Sequence, residues 1–452
     1  FKPNGPAVNC IWKMVYFDGR ILGVSGNRWK TNIVGGNIVI FENNEWHNIT
    51  TVEIQNAFGI TNCKDFMDIA VNKNDKTHYF VGSNNTGLYE FRNDSPFWRY
   101  HTNNSNLGHN SVYSVLFDNE NRLWFANMAQ YGLRFVQPIV ENDLPIVGVI
   151  ETMPYDEIKS SAGSCGVLLA DMYNPNLKFL TRISSSYIFA FDDKGTPNDL
   201  SDDTYLRRNT FIDQNGDIFQ NNYYFCATQD KKGAIWVGTR NGPFILPNPH
   251  NFFNDKYTVQ RPKIPRNDGS GLADWLLEND EIRVIAVDGD NRKWIGTKGA
   301  GVYLINEDGT EEIAHFTSEN SPLLDGEVLS IAINADGEVF FGTENGIISY
   351  QSDSTDPVDP NVSKNEDLHI FPNPVRETYH GPIAIKGVWE NAVVKITDIS
   401  GNLVYETISK GGMVTWDGNR KGGQRVSTGV YLVIITTKDG KNHDIRKLLV
   451  IN

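Results

Sequence analysis

Cysteine is scarce in this chain. The four present, Cys10, Cys63, Cys165 and Cys226, are scattered through 452 residues with no C-x-x-C spacing. That pattern argues against a zinc site or a dithiol redox motif. An oxidising compartment would permit disulfides, but nothing pairs these residues, so buried free thiols are the simpler expectation. No apolar run reaches 18 residues, so no membrane-spanning helix is expected. The nine histidines are isolated, without a helical pair, and G-x-S-x-G, H-E-x-x-H and G-x-x-x-x-G-K-[ST] are all absent. Catalysis therefore has no positive support. Positive charge is also short: 41 Lys/Arg against 55 Asp/Glu give a net −14. That balance argues against a nucleic acid held through its phosphates. The chain opens at Phe1 with no Met and no signal peptide, which predicts a fragment or processed form with further domains upstream.

Aromatic residues and glycine are abundant, with 24 Phe, 18 Tyr, 10 Trp and 40 Gly, a composition that favours many strands joined by tight turns. At this length two or three domains are expected. Between residues 1 and 350 one pattern recurs: an apolar strand, an acidic or Asn-Gly turn, an aromatic-x-Gly-Thr strand, then Gly and a further strand. The clearest copies centre on Trp236-Val237-Gly238-Thr239, Trp294-Ile295-Gly296-Thr297 and Phe340-Phe341-Gly342-Thr343. Weaker copies centre on Phe80-Val81-Gly82-Ser83 and Trp124-Phe125-Ala126-Asn127. Two degenerate ones run from Trp12 to Trp46 and from Val167 to about Tyr205. Such a period, with several strands per unit, predicts a seven-bladed β-propeller over 1–350. The aromatic of each second strand should pack between blades, and the following glycine should permit close backbone approach.

Residues 351–367 are rich in Pro and Asp and read as a linker. Over 368–452, alternating runs such as Val393–Ile399, the turn Ser400-Gly401-Asn402 and the long strand from Val430 to Thr437 predict a small Ig-like antiparallel β-sandwich. The chain as a whole thus reads as all-β. Charge divides unevenly: from Leu368 onward 11 Lys/Arg face 7 Asp/Glu, so this tail carries +4 and the rest −18. Such a division suits docking to a protein or an anionic glycolipid, and an ordinary solvated surface is the simpler explanation.

Both parts resemble known families. The W-I-G-T strands and the Gly-Leu-Tyr starts resemble two-component-regulator propeller repeats. The tail carries Phe371-Pro372-Asn373-Pro374-Val375, Asp398-Ile399-Ser400-Gly401-Asn402-Leu403-Val404, Trp416-Asp417-Gly418, Gly422 to Tyr431 and Lys447 to Ile451. In that order these resemble the C-terminal sorting domain of the type IX (Por) secretion system of Bacteroidetes. A regulator-type propeller followed by such a tail is the domain order of a surface component of the type IX attachment machinery, and the resemblance extends to Phe1–Ala7 and Gly26-Asn27-Arg28-Trp29. It implies export from the periplasm to the outer-membrane surface and a tail retained after export. It also implies a non-catalytic role, presenting anionic lipopolysaccharide to a partner sortase. Two other readings stay open: a carbohydrate-sensing propeller, and a secreted lyase or glycosidase that uses the tail as a cargo label.

Three groups of residues are candidates for binding. Asp192, Asp193, Asp199, Asp202 and Asp203 crowd around a Gly-Thr-Pro turn and could supply oxygen ligands to a structural calcium ion, or form a solvated acidic hairpin tip. Asn62, Asn110, Asp280 and Asp325 precede the first strands of several units and could ring one mouth of the central channel, though turn preference explains the same residues. Arg28 beside Trp29 could stack on a sugar or an acyl-phosphate head group, or sit on an ordinary exposed hairpin. Asp213-Gln214-Asn215-Gly216-Asp217 and Asp288-Gly289-Asp290-Asn291 read as turns. Asp230 to Trp236 lacks the spacing of a sialidase Asp-box.

Overall fold

The computed structural model describes residues 4–27, 34–127, 132–136, 150–153, 165–183, 187–197, 199–220, 223–361 and 368–451. Strands dominate; the described residues hold one α-helix, Thr51–Phe58, closed at its N-terminus by a capping box of Thr50 and Glu53. The chain divides into two compact units. The first is Phe1–Val287, Lys293–Ile333 and Phe340–Ser349; the second is Asp288–Arg292, Asn334–Val339 and Tyr350–Asn452.

Antiparallel sheets follow one another along the chain in the order of the sequence repeats. Their first strands are Lys13–Phe17, Phe66–Asn72, Val112–Phe117, Cys165–Ala170, Tyr224–Gln229, Ile282–Val287 and Val328–Ile333. Each packs on the next, and Lys13–Phe17 packs on both Phe66–Asn72 and Val328–Ile333, so the series closes on itself in a propeller-like arrangement. Five of these sheets have four strands. Those beginning at Tyr224 and Val328 have three, the former extended by reciprocal backbone bonds between Ile245 and Gln260. Two short hairpins, Phe211–Ile212 with Ile218–Phe219 and Lys263–Pro265 with Ala273–Trp275, flank the sheet that starts at Tyr224.

The repeat motif has a physical cause at each position. The aromatic of the second strand is fully buried, as at Phe80, Trp124, Trp236 and Trp294. The glycine after it is forced by crowding: a Cβ at Gly238 would stand 2.4 Å from Cys226 Sγ and 2.7 Å from Ile282 Cγ2 of the next sheet. The threonine then closes the following turn, its hydroxyl donating to the carbonyl of Gly242 from Thr239, of Gly301 from Thr297 and of Gly346 from Thr343. The acidic residue of the preceding turn is equally specific. Asp118 and Asp230 each accept backbone N–H groups two and four residues on. Their other oxygens accept the indole N–H of Trp124 at 2.7 Å and Trp236 at 3.0 Å. Asp213 and Asp288 take the same two backbone bonds, which makes both segments turns as expected.

In the second unit two sheets share one core. One is His369–Phe371, Ile383–Lys386 and Met413–Trp416. The other is ordered Leu403–Ile408, Val393–Asp398, Gly429–Thr436 and His443–Val450. The hairpin expected around Ser400-Gly401-Asn402 forms, with Asp398 accepting the N–H groups of Ser400 and Asn402. Val394, Ile396, Trp416, Val433, Ile435, Leu448 and Val450 bury their side chains between the sheets.

Candidate functional site: the channel between the first strands

The first strands enclose a channel, part of it open to solvent, to which all seven contribute lining residues. The lining follows from a backbone irregularity. Pairing between first and second strands slips between Phe66 and Asp68, Val112 and Ser114, Cys165 and Leu168, Tyr224 and Cys226, and Ile282 and Val284. Each slip leaves an extra residue in the first strand, and a bulge of this kind re-aims a side chain. The residues within the slips, Met67, Tyr113, Gly166 with Val167, Phe225 and Arg283, all line the channel.

The charged groups of the lining are Lys13, Asp68 and Arg283. Asp68 is turned to its own wall: Oδ2 accepts the Ser114 hydroxyl at 2.6 Å and the Val115 N–H at 3.0 Å. Arg283 is held at 2.8 Å by Glu281 and 3.2 Å by Glu327, the residues immediately before two first strands. Burial pulls the Arg283 pKa down and the two carboxylates oppose that. Glu281 also meets Arg240 at 3.6 Å and Lys298 at 3.8 Å, both half exposed. An aromatic wall links these cations. Arg240 lies 3.8 Å over Tyr223, Tyr223 stacks on Phe225 at 5.7 Å, and Arg283 lies 5.1 Å from the Phe225 ring. Cys226 is a free thiol on the same wall, pushed up to about 12 by burial, with Lys13 and Arg283 among the charges that oppose the shift. Cys63 is likewise buried and free, and Cys10 is half-buried, its thiol donating to the Gly26 carbonyl; the Cys165 side chain lies outside the described residues.

The channel-mouth candidates occupy matching positions in the connections between sheets. Gly87 N–H donates to the Asn110 carbonyl, Gly242 to Asp280 and Gly301 to Gly326, one equivalent bond in each. Asp325 immediately precedes Gly326. Asn62 precedes Cys63, whose carbonyl accepts from Gly36. Their side chains are engaged differently. Asn110 accepts the Thr102 N–H, and Asp325 accepts the Asn345 amide and the Glu327 N–H. Burial raises the pKa of Asp280. Arg28 and Trp29 lie outside the described residues.

The five aspartates expected to gather around calcium do not converge. Asp193 is fully buried against Lys178 at 2.8 Å, and Asp192 pairs with Lys194 at 2.8 Å. Asp199 accepts the Ser201 hydroxyl and Asp202 that of Thr196. Among the described residues no group of three or more His, Cys, Asp or Glu side chains is placed to hold a metal. Sequence spacing missed this because Lys178, fifteen residues earlier, supplies the counter-charge from a neighbouring strand.

Comparison with known proteins places this geometry. Residues 369–452 match the family described as the secretion system C-terminal sorting domain, and residues 106–129 and 217–241 match two component regulator propeller. No curated protein matches the sequence. Among solved structures, PorZ, an essential bacterial surface component of the type-IX secretion system of human oral-microbiomic Porphyromonas gingivalis, is similar at 29% identity and a TM-score of 0.76. The match covers 100% of this chain and 61% of that one. The chain therefore spans less than two thirds of its relative's length. The extracellular domain described as part of a one component system from B. thetaiotaomicron shares the fold at 12% identity and a TM-score of 0.51, over 98% of this chain and 57% of that one. Neither the matched families nor PorZ is described by a catalytic activity. Over its whole length the chain is PorZ-like, a propeller-type body that ends in a sorting domain of the type IX secretion system.

Proposed function

We propose that the chain is a non-catalytic scaffold of the type IX attachment machinery, presenting anionic lipopolysaccharide to a partner sortase that docks on it. The observation that carries this reading is the similarity to a surface component of that system along the entire chain, body and tail together. A cargo protein would share the tail alone. The sorting tail supports an exported or cell-surface location. No helix among the described residues is long and apolar enough to cross a membrane, which says nothing of strands. We read the closed series of sheets as seven blades over 1–350, residues 351–367 as the linker and the tail as an Ig-like sandwich. The aligned connections at Asn62, Asn110, Asp280 and Asp325 serve in this reading as the rim of a ligand-binding mouth. Recovery of the sortase on immobilised protein, together with calorimetric binding of anionic lipopolysaccharide, is the expected result. Absence of both would defeat the proposal, and turnover of a polysaccharide would replace it with the enzyme reading.

A further inference from the structure

The channel contains a cation without an ion-pair partner among the described residues. Lys13 lines it, and no described residue forms an ion pair or hydrogen bond with its ammonium. The other charged lining residues are already engaged, Arg283 by two glutamates and Asp68 by Ser114 and Val115. Lys13, Cys226 and Arg283 all line it, so both positive charges bear on the same channel. Inside low-dielectric walls a cation without a partner attracts an anion far more strongly than on an open surface. Apolar area for the remainder of a ligand is at hand in Trp12, Met67 and Phe225. Trp12 is fixed there by its indole N–H, which donates to the Met67 carbonyl at 3.0 Å. Arg240 and Lys298, half exposed beside Glu281, form a cationic approach.

We propose that the channel is an anion-binding site for a phosphorylated or carboxylated saccharide, whose acidic group pairs with the Lys13 ammonium beside Arg283 while the sugar's apolar face lies on Trp12 and Phe225. This rests on the glycan-binding reading above and assigns it a place. The negative net charge of the chain does not oppose it, because the walls, not the total, set the local field.

The test titrates the full chain with glucose 1-phosphate, glucose, inorganic phosphate, anionic lipopolysaccharide and its delipidated polysaccharide, by calorimetry and by intrinsic tryptophan fluorescence. Glucose 1-phosphate should bind more tightly than glucose, and inorganic phosphate should compete with it. Lys13→Gln should weaken both glucose 1-phosphate and lipopolysaccharide at least tenfold, and Lys13→Arg should restore most of the loss. Lys447→Gln, in the sorting domain, should change neither. Retained binding of the delipidated polysaccharide identifies the saccharide's own acidic groups as the source of charge; binding that needs the lipid overturns the saccharide assignment. Unchanged affinities in Lys13→Gln, at an unchanged melting temperature, overturn the channel site while leaving the glycan reading standing. A wild-type chain that binds neither glucose 1-phosphate nor lipopolysaccharide defeats both.

Discussion

Lys293 Nζ lies 3.0 Å from Asp230 Oδ2, joining two neighbouring sheets through a buried ion pair to which the Trp236 indole also donates. The ammonium also stands 4.7 Å from the Trp236 ring. Lys178 is held in a related way, pairing with Asp193 of its own sheet and standing 4.4 Å over Trp124 of the preceding one. Burial lowers the pKa of both lysines, and their aspartates pull it back. Removing one partner of such a pair strands a buried charge. Lys293→Met should cost about 3–5 kcal/mol in urea unfolding, and adding Asp230→Asn should recover much of it. Additive losses in the double variant would show that the two side chains act independently.

Gly238 has no room for a methyl group, since Cys226 and Ile282 stand within 2.7 Å of where it would be. Gly238→Ala should therefore lower stability by about 1–3 kcal/mol. Gly422 faces open space, and Gly422→Ala should be neutral within about 0.5 kcal/mol. Equal melting temperatures for the two variants would remove the steric reason for the repeated glycine.

These two cases mark what the sequence alone makes legible. The aromatic-x-Gly-Thr strand announces its own packing, because its spacing places the aromatic and the glycine on known sides of a pleat. In the sorting domain, Gly429–Thr436 alternates cleanly and Val393–Asp398 does so as far as Ile396, so strands, turns and core follow from pattern. The channel does not. Phe225 and Arg283 reach it through a slipped register that interrupts alternation, and no composition signal marks a bulge. The fully buried Lys178 and Lys293 look like ordinary polar strand residues until Trp124 and Trp236 are placed beside them. The aspartates from 192 to 203 show the converse: crowding in sequence did not become convergence in space, because Asp192, Asp193, Asp199 and Asp202 each found a separate donor.

Asp290, in the second unit, carries a pH response. Burial raises its pKa to about 6, with Arg292 opposing and Asp288 and Asp353 adding repulsion. Its Oδ1 has no hydrogen-bond partner among the described residues, while its backbone N–H donates to Ser354 Oγ. A carboxyl raised in the fold binds its proton more tightly folded than unfolded. Its favourable contribution is thus complete below the model-peptide value of 3.8 and is lost as pH rises through about 6. Asp290→Asn should flatten the stability profile across that window and raise stability at neutral pH by up to about 3 kcal/mol. Chemical denaturation at several pH values checks this; a variant with an unchanged profile would contradict it.

Calcium offers a separate decision on the acidic loop. With Asp193 bound to Lys178 and Asp192 to Lys194, adding calcium or a chelator should leave the melting temperature unchanged. A rise with calcium that Asp199→Asn and Asp202→Asn abolish would restore the metal site.

The most direct measurement of the central claim is capture of partners by the immobilised chain from outer membranes of a bacterium with an active type IX system. The PorZ-like reading predicts that the sortase and anionic lipopolysaccharide are both retained, and that deleting residues 368–452 leaves lipopolysaccharide binding by the remaining body intact. Retention of neither, from membranes shown to contain both, would contradict it.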